Sequence, residues 1–441
     1  VTESLTWWPY LSLVSLVFFL AFPAVVAAKA PEAPPPLAKD DIFYPYLKEV
    51  PQVTTVLREE VRDGVRVTEL RFSSFEGSQE GQVNPSEVYA VLARPAGTAP
   101  GQRPAMLICH GGGGTASDGG PIAWAKLGYV ALAPDLPGYG ANDKMKSLGR
   151  VTKMPFGTGG FDVTPSPHAS VLFDAVVAGL RAFNLLGAQK DVDPSKMAMT
   201  GISWGGYMTT MLGGLLDVRV RAVFNLYGSG SYQEASIGAG ALEKMADKDR
   251  QVWIAHFDAA TRLRRMRATY LMYAATNDIF FQPPAIMTTF DAVPGSKYLC
   301  FGPNKSHWVS LPGGPVSWSS PIFTEMEPAF FAYVLDGNHP PLAELNVVKA
   351  DQTGTVAFEV KNLPADAEPW VYVAWNTSKP WVERDWALLP CRNSGNGVFT
   401  CVIPKSVPEC DWFGGITFTL KAGGLEQPMS LSTKIQRYNG K

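Results

Sequence analysis

The sequence predicts an α/β fold, a mostly parallel central sheet flanked by helices, followed by a C-terminal all-β segment of sandwich type. Three observations carry this. From Ala105 onward, short continuous apolar runs alternate with stretches of helical period. Strands buried on both faces read as unbroken apolar runs, and the helices between them supply the cover. Before that region and after residue 341 the pattern becomes period-2 alternation, the mark of strands with one wet face. Between the two regimes, Asp336-Gly337-Asn338-His339-Pro340-Pro341 is a strong break. With 441 residues the chain can hold a large core and a second module. Lys and Arg number 38 against 40 Asp and Glu, with no basic stripe, so nucleic-acid binding has no electrostatic support.

Taken in order, the first element is the apolar run Leu11 to Val26, followed by Ala27-Ala28-Lys29 and a Pro-rich spacer. It is short for a membrane span and suits a signal peptide over residues 1–28, with residues 29–45 as a linker. The expectation is a secreted or periplasmic protein with no membrane contact after cleavage. Val1 to Tyr10 lacks the Lys and Arg of that pattern, and the rival reading is an uncleaved anchor. The catalytic region is expected over 46–338. It opens with alternating strands such as Val65 to Phe72 and Val88 to Leu92. Ala105 to Cys109, Tyr129 to Ala133, Met197 to Met199, Ala222 to Leu226 and Tyr270 to Ala274 then read as buried parallel strands. Ser170 to Leu186 repeats apolar residues at three- and four-residue steps and reads as a helix, as does Phe323 to Leu335. Residues 229–266 have helical period and no strand, and read as a lid-like insertion over the sheet's C-terminal edge.

Residues 341–441 alternate again, as in Thr355 to Val360, and are expected to form the sandwich. Three of the five cysteines fall here. A hairpin through Asn393 to Gly397 brings Cys391 opposite Cys401, which makes these two the preferred disulfide. No C-x-x-C pair occurs, so no zinc site is expected.

The chemistry lies in Gly201-Ile202-Ser203-Trp204-Gly205, between an apolar strand and a helical stretch. A serine on a sharp strand-to-helix turn presents its hydroxyl at the positive end of the helix dipole. Serine is a poor nucleophile until a base takes its proton, and the imidazolium so formed needs an orienting carboxylate. Of five histidines, His307 follows the last apolar strand, and Asp278 ends the strand before it. The order Ser203, Asp278, His307 supplies nucleophile, acid and base. Asp135 also follows a strand and competes for the acid role, with a turn-forming aspartate as its alternative. His110 is read as a brace for the glycine loop Gly111-Gly112-Gly113-Gly114, and His256 as a polar contact or a pocket residue. The amides of Gly112 and Trp204 are the expected oxyanion donors. Tyr139, Tyr207, Tyr227, Phe280, Phe281 and Trp308 adjoin these positions in sequence and are expected around the substrate, with His110, Gly111 and Gly113.

At these residues the chain resembles the α/β-hydrolase superfamily, in the branch holding acetylxylan esterases, dienelactone hydrolases and prolyl-oligopeptidase-type peptidases. The resemblance spans roughly Tyr46 to Leu335. It rests on HGGGG at His110, APDLPGYG at Ala133, GISWGGYM at Gly201, TNDIFFQPP at Thr276 and NKSHW at Asn304. It implies Ser203 as nucleophile, His307 as base, Asp278 as its orienter, and no metal or organic cofactor. Dienelactone hydrolases usually carry a cysteine nucleophile, so Ser203 implies ordinary ester hydrolysis. The function expected is a secreted serine hydrolase acting on small-molecule or polysaccharide esters. A serine peptidase acting on short peptides is the alternative, and carbohydrate binding by the tryptophans of the C-terminal segment is a third reading.

Overall fold

In the computed structural model the sheet follows the alternation of burial along the chain. The structure describes residues 36–79, 82–97, 102–138, 140–141, 144–150, 157, 159–311, 320–348, 354–404 and 406–440, with only the backbone described at 76–79, 82–85 and 236. The expected signal peptide and most of the linker lie outside these residues. Among the described residues no helix is long and apolar enough to cross a membrane.

Among the described residues nine strands form the central sheet: β1 (Val53–Arg62), β2 (Val65–Gln79), β3 (Gln82–Pro95), β4 (Arg103–Cys109), β5 (Val130–Pro134), β6 (Val192–Ile202), β7 (Ala222–Leu226), β8 (Thr269–Ala275) and β9 (Lys297–Gly302). Their spatial order is β1-β2-β3-β5-β4-β6-β7-β8-β9. The pairs from β1 through β3 to β5 are antiparallel, and every pair from β5 to β9 is parallel. The helices are α1 (Gly119–Lys126), α2 (Val171–Gly187), α3 (Trp204–Leu216), α4 (Ser236–Lys244), α5 (Asp247–Phe257), α6 (Ala259–Arg262), α7 (Pro283–Ala292) and α8 (Met326–Asp336). Strand β4 shows why the parallel runs are apolar throughout. Ala105, Leu107 and Cys109 enter the core shared with α2 and α3, while Met106 and Ile108 enter the core that holds Trp124 of α1 and Phe330 of α8. A strand covered on both sides has no wet face, so the period-2 signal vanishes.

Helix α2 is buried from Val171 to Leu186, because a second layer covers its outer face. Phe43 stacks on Phe173 at 5.8 Å, and Asn184 Nδ2 donates to the carbonyls of Tyr46 and Glu49. The Ser170 side chain caps the helix by accepting from the Leu172 amide at 3.2 Å. The insertion at 229–266 is helical as expected, forming α4 to α6. It is anchored rather than perched: Tyr232, Trp253 and Phe257 are fully buried, and Trp253 Nε1 donates to the Gly160 carbonyl at 2.8 Å.

The C-terminal part comprises β10 (Glu344–Val348), β11 (Thr355–Lys361), β12 (Glu368–Ala374), β13 (Trp386–Leu389), β14 (Arg392–Gly395), β15 (Val398–Val402), β16 (Glu409–Ala422), β17 (Leu425–Ser432) and β18 (Gln436–Asn439). They make two antiparallel sheets, β10-β11-β15-β14 and β13-β12-β16-β17, with β18 paired to β16. The sheets face one another closely. A methyl group at Gly414 would lie 2.3 Å from the Phe358 ring.

The break at 336–341 is present, with Gly337 ending α8 in a left-handed conformation at φ 71°, and apolar packing continues across it. Residues 36–441 form one compact unit, because the sandwich covers α8 and the β9 edge of the large sheet. Phe301 of β9 meets Phe413 of β16 at 5.9 Å, and the Phe301 amide donates to Ser432 Oγ. The Cys391–Cys401 disulfide is not formed, and all five cysteines are free. The β14–β15 ladder begins at Arg392↔Thr400 and leaves Cys391 outside it and half-buried, while Cys401 is buried on the inner face.

Candidate active site

Ser203 sits between β6 and α3 with φ 58° and ψ −119°, a strained conformation for a residue with a side chain. The glycines around it are required by space. A methyl group on Gly205 would lie 2.1 Å from the Cys109 carbonyl oxygen, and one on Gly201 would lie 2.2 Å from the Gly205 carbonyl oxygen. Only bare backbone lets the turn pass this close to β4. The Ser203 amide donates to the Leu226 carbonyl at 2.8 Å and fixes the elbow to the end of β7. Behind the elbow, Asn225 Oδ1 accepts from the Gly228 amide at 2.8 Å, and its Nδ2 lies within 2.8 Å of Thr210 Oγ1, the Gly228 carbonyl and the Tyr270 hydroxyl.

The three residues scattered at 203, 278 and 307 meet at the C-terminal edge of the sheet. His307 Nε2 lies 2.8 Å from Ser203 Oγ, and its Nδ1 lies 2.7 Å from Asp278 Oδ2. Asp278 is fully buried, and its other oxygen accepts from the amides of Phe280 and Phe281 at 2.7 and 3.0 Å. A carboxylate can only accept from Nδ1, so the proton sits there and Nε2 keeps its lone pair toward the serine. The imidazole is walled by Tyr227, Phe280 and Phe281, with ring centroids at 4.8, 4.9 and 6.0 Å.

The glycine loop is held beside the elbow by His110. Its Nε2 accepts from the Leu136 amide at 2.9 Å and its Nδ1 lies 2.8 Å from the Gly111 carbonyl, so both ring nitrogens are engaged. Burial pushes its pKa down, which keeps the ring neutral in this role. The Gly114 amide closes a turn onto the Gly111 carbonyl at 3.1 Å, with Gly113 at φ 72° and Gly112 exposed at the tip. Gly111 and Gly112 line a cavity of about 310 Å³ with His110, Ile202, Pro321 and Phe323, which stops short of Ser203.

The competing aspartate is committed elsewhere. Asp135 is buried and accepts from the Ala116 amide through Oδ1 and from the Ser147 amide and hydroxyl through Oδ2. Of the expected pocket residues, Tyr227 and Phe281 are fully buried against the imidazole, and Tyr207 belongs to the core. It is fully buried behind Trp204, with its hydroxyl donating to the Phe257 carbonyl at 2.6 Å. Trp308 is half-buried beside His307 in the chain, and Tyr139 lies outside the described residues. His256 is on α5, with its ring near Phe257 rather than at the serine.

Two residues of the TNDIFFQPP and NKSHW motifs, to which the sequence assigns no role, stand one and three positions before Asp278 and His307. Asn277 and Asn304 reach across to residues 381–386. Their partners lie 82 to 107 positions further along the chain, beyond any spacing that a motif can encode.

The dienelactone hydrolase family model matches residues 88–283. A second, described as PhoPQ-activated pathogenicity-related protein, matches residues 224–386. Comparison with curated proteins finds no match. Among solved structures, acetyl xylan esterase 1 from Thermoanaerobacterium sp. JW/SL YS485 is 17% identical with a TM-score of 0.48, covering 63% of this chain and 90% of its own. Acetyl xylan esterase from Paenibacillus sp. R4 is 20% identical at 0.48, covering 62% and 92%. A prolyl endopeptidase structure is 13% identical at 0.41, covering 65% and 53%. Taken together, the strand order, the serine elbow between β6 and α3 and the family model matched over residues 88–283 give this chain an α/β-hydrolase fold.

Proposed function

We propose that the protein is a serine hydrolase of carboxylic esters that works through an acyl-enzyme, with Ser203, His307 and Asp278 as its triad. One observation carries the reading: the continuous contact from Asp278 Oδ2 through His307 to Ser203 Oγ, at 2.7 and 2.8 Å. In the first half-reaction Ser203 Oγ attacks the ester carbonyl carbon while His307 Nε2 takes the hydroxyl proton. The buried carboxylate of Asp278 stabilises the imidazolium. The carbonyl oxygen becomes an oxyanion, for which the amides of Gly112 and Trp204 are the proposed donors, at the positive end of α3. The imidazolium then gives its proton to the leaving alkoxide, and the C–O bond breaks. In the second half-reaction His307 deprotonates water, which attacks the acyl carbon. Collapse releases the carboxylic acid and returns the proton to Ser203.

The Phe280 ring, exposed beside the base, favours a small acyl or aromatic ester, free or carried on a polysaccharide. The leader pattern over residues 1–28 supports export. Ser203→Ala tests the reading. We expect turnover of p-nitrophenyl acetate to fall by on the order of 10⁴-fold or more, with an unchanged circular dichroism spectrum. Near-normal turnover in that variant would overturn it.

A further inference from the structure

We propose that the segment between β12 and β13, residues 375–385, together with Trp386 is a brace that holds the acid and base loops in register, with Asn277 and Asn304 as its positioning residues. The proposal rests on the triad reading above.

The acid follows β8 and the base follows β9, so each sits on a loop that leaves the sheet. The two loops are stitched to one another. The Thr276 amide donates to the Gly302 carbonyl at 3.0 Å, the Asn277 amide to the Lys305 carbonyl at 3.2 Å, and the Asn304 amide to Thr276 Oγ1 at 3.0 Å. Both are then tied to the sandwich. Asn277, next to the acid, points its Nδ2 into three carbonyls: Arg384 at 2.7 Å, Trp381 at 3.2 Å and Val382 at 3.3 Å. An amide has two N–H groups, so one bonds Arg384 and the other is shared by the remaining pair. Its Oδ1 accepts from Thr276 Oγ1 at 2.6 Å. Asn304, three residues before the base, makes a reciprocal pair with Trp386. Its Nδ2 donates to the Trp386 carbonyl and its Oδ1 accepts from the Trp386 amide, each at 2.7 Å.

A brace must itself be stiff, and this one is built around Arg384. The buried guanidinium pairs with buried Asp411 of β16 and donates to the carbonyls of Thr377 and Lys379, each at 3.1 Å. Its carbon lies 3.6 Å from the centroid of the Trp381 ring. Asp411 is also held by Arg437 Nε at 2.5 Å. The segment is therefore fixed to β16 on one side and to the catalytic loops on the other. Hydrogen-bonded side chains that fix a loop's position matter because catalytic geometry tolerates little drift. A misplacement of about 1 Å can cost on the order of 100-fold in rate.

The test uses the full chain and two variants. Asn304→Gly keeps the left-handed backbone at this position, φ 57°, while deleting both bonds to Trp386. Asn277→Ala deletes the donor to the three carbonyls. For each, kcat is measured per active site titrated with a fluorophosphonate, together with KM and the unfolding temperature, with Ser203→Ala as the control. We expect kcat to fall on the order of 10- to 100-fold with KM changed by less than about threefold, at temperatures where both variants are fully folded. The double variant should lose less than the product of the single effects, since both act through one segment. Unchanged kcat per titrated site, with only a lower unfolding temperature, would make the contacts structural and overturn the brace. Activity in Ser203→Ala would overturn the triad beneath it, so the two failures are separable.

Discussion

At the residue scale, two aspartates each stand directly after a buried strand, and chain order in the sequence favours Asp278. What separates them is where their lone pairs go. Asp278 gives one oxygen to His307 and the other to two amides of its own loop, whereas Asp135 gives both to Ala116 and Ser147. Asp278→Asn should therefore leave the fold intact and lower kcat by on the order of 10⁴-fold, because the amide favours the wrong imidazole tautomer. Asp135→Asn should do the reverse: kcat near that of the parent and a stability loss of about 1–3 kcal/mol from mismatched buried partners. Turnover per titrated site and chemical denaturation of the two variants distinguish these outcomes, and an exchange of phenotypes would reassign the acid. The sequence made the Ser203, Asp278 and His307 cluster legible because each member ends a strand or begins the loop after one. It ranked Asp278 over Asp135 by chain order alone, because the partners of the two side chains are not written in the sequence. Tyr207 was misread for the same reason: adjacency to Ser203 along a helix does not say which way a ring turns.

At the element scale, continuous apolar runs identified β4 through β9, and three- to four-residue spacing identified α2. The signal failed where packing rather than pattern decides. β1 is exposed along nearly its whole length and stays in the sheet through its ladder to β2 alone. Helix α8 was visible, but not the fact that it carries a buried carboxyl under the elbow strand. Glu327 Oε2 accepts from Thr200 Oγ1 of β6 at 2.7 Å, and Oε1 accepts from the Thr324 amide at 2.9 Å. Burial outweighs these bonds and pushes its pKa from the ordinary 4.5 up to about 7. The folded state thus prefers the protonated acid, whereas the unfolded chain ionises near 4.5. The stabilising contribution is fully present below pH 4.5 and fades as the pH rises to 7, above which it is absent. The loss across that window should be on the order of 3 kcal/mol. Glu327→Gln mimics the protonated form and should flatten this part of the stability profile. Urea unfolding between pH 4.5 and 8 provides the comparison, and parallel profiles for parent and variant would remove Glu327 as the source.

At the scale of the whole molecule, the Asp-Gly-Asn-His-Pro-Pro break reads as a domain boundary because local sequence reports the turn and nothing about the surfaces beyond it. The same blindness affects the tryptophans of the C-terminal part. Their number suggests a sugar-stacking row, but Trp386 is buried against Phe413, Trp412 is buried in the sandwich, and Trp381 lies beneath Arg384. They serve the joint between the two parts. That joint is apolar: Phe330 and Phe331 of α8 share a core with Val356, Phe358, Ile416 and Met429 of the sandwich, and Phe301 packs on Phe413. A chain ending at Asn338 would expose this face, a contiguous apolar surface of the kind that drives association. It would also leave the Phe301 amide without its partner on Ser432. We therefore expect the fragment to aggregate or to lose its fixed near-ultraviolet spectrum. A monomeric fragment with the parent's unfolding temperature, measured by size-exclusion chromatography and thermal melting, would show instead that the hydrolase half is self-sufficient. The shared core predicts a single cooperative unfolding transition for the full chain, because neither half can expose its side of the joint without destabilising the other.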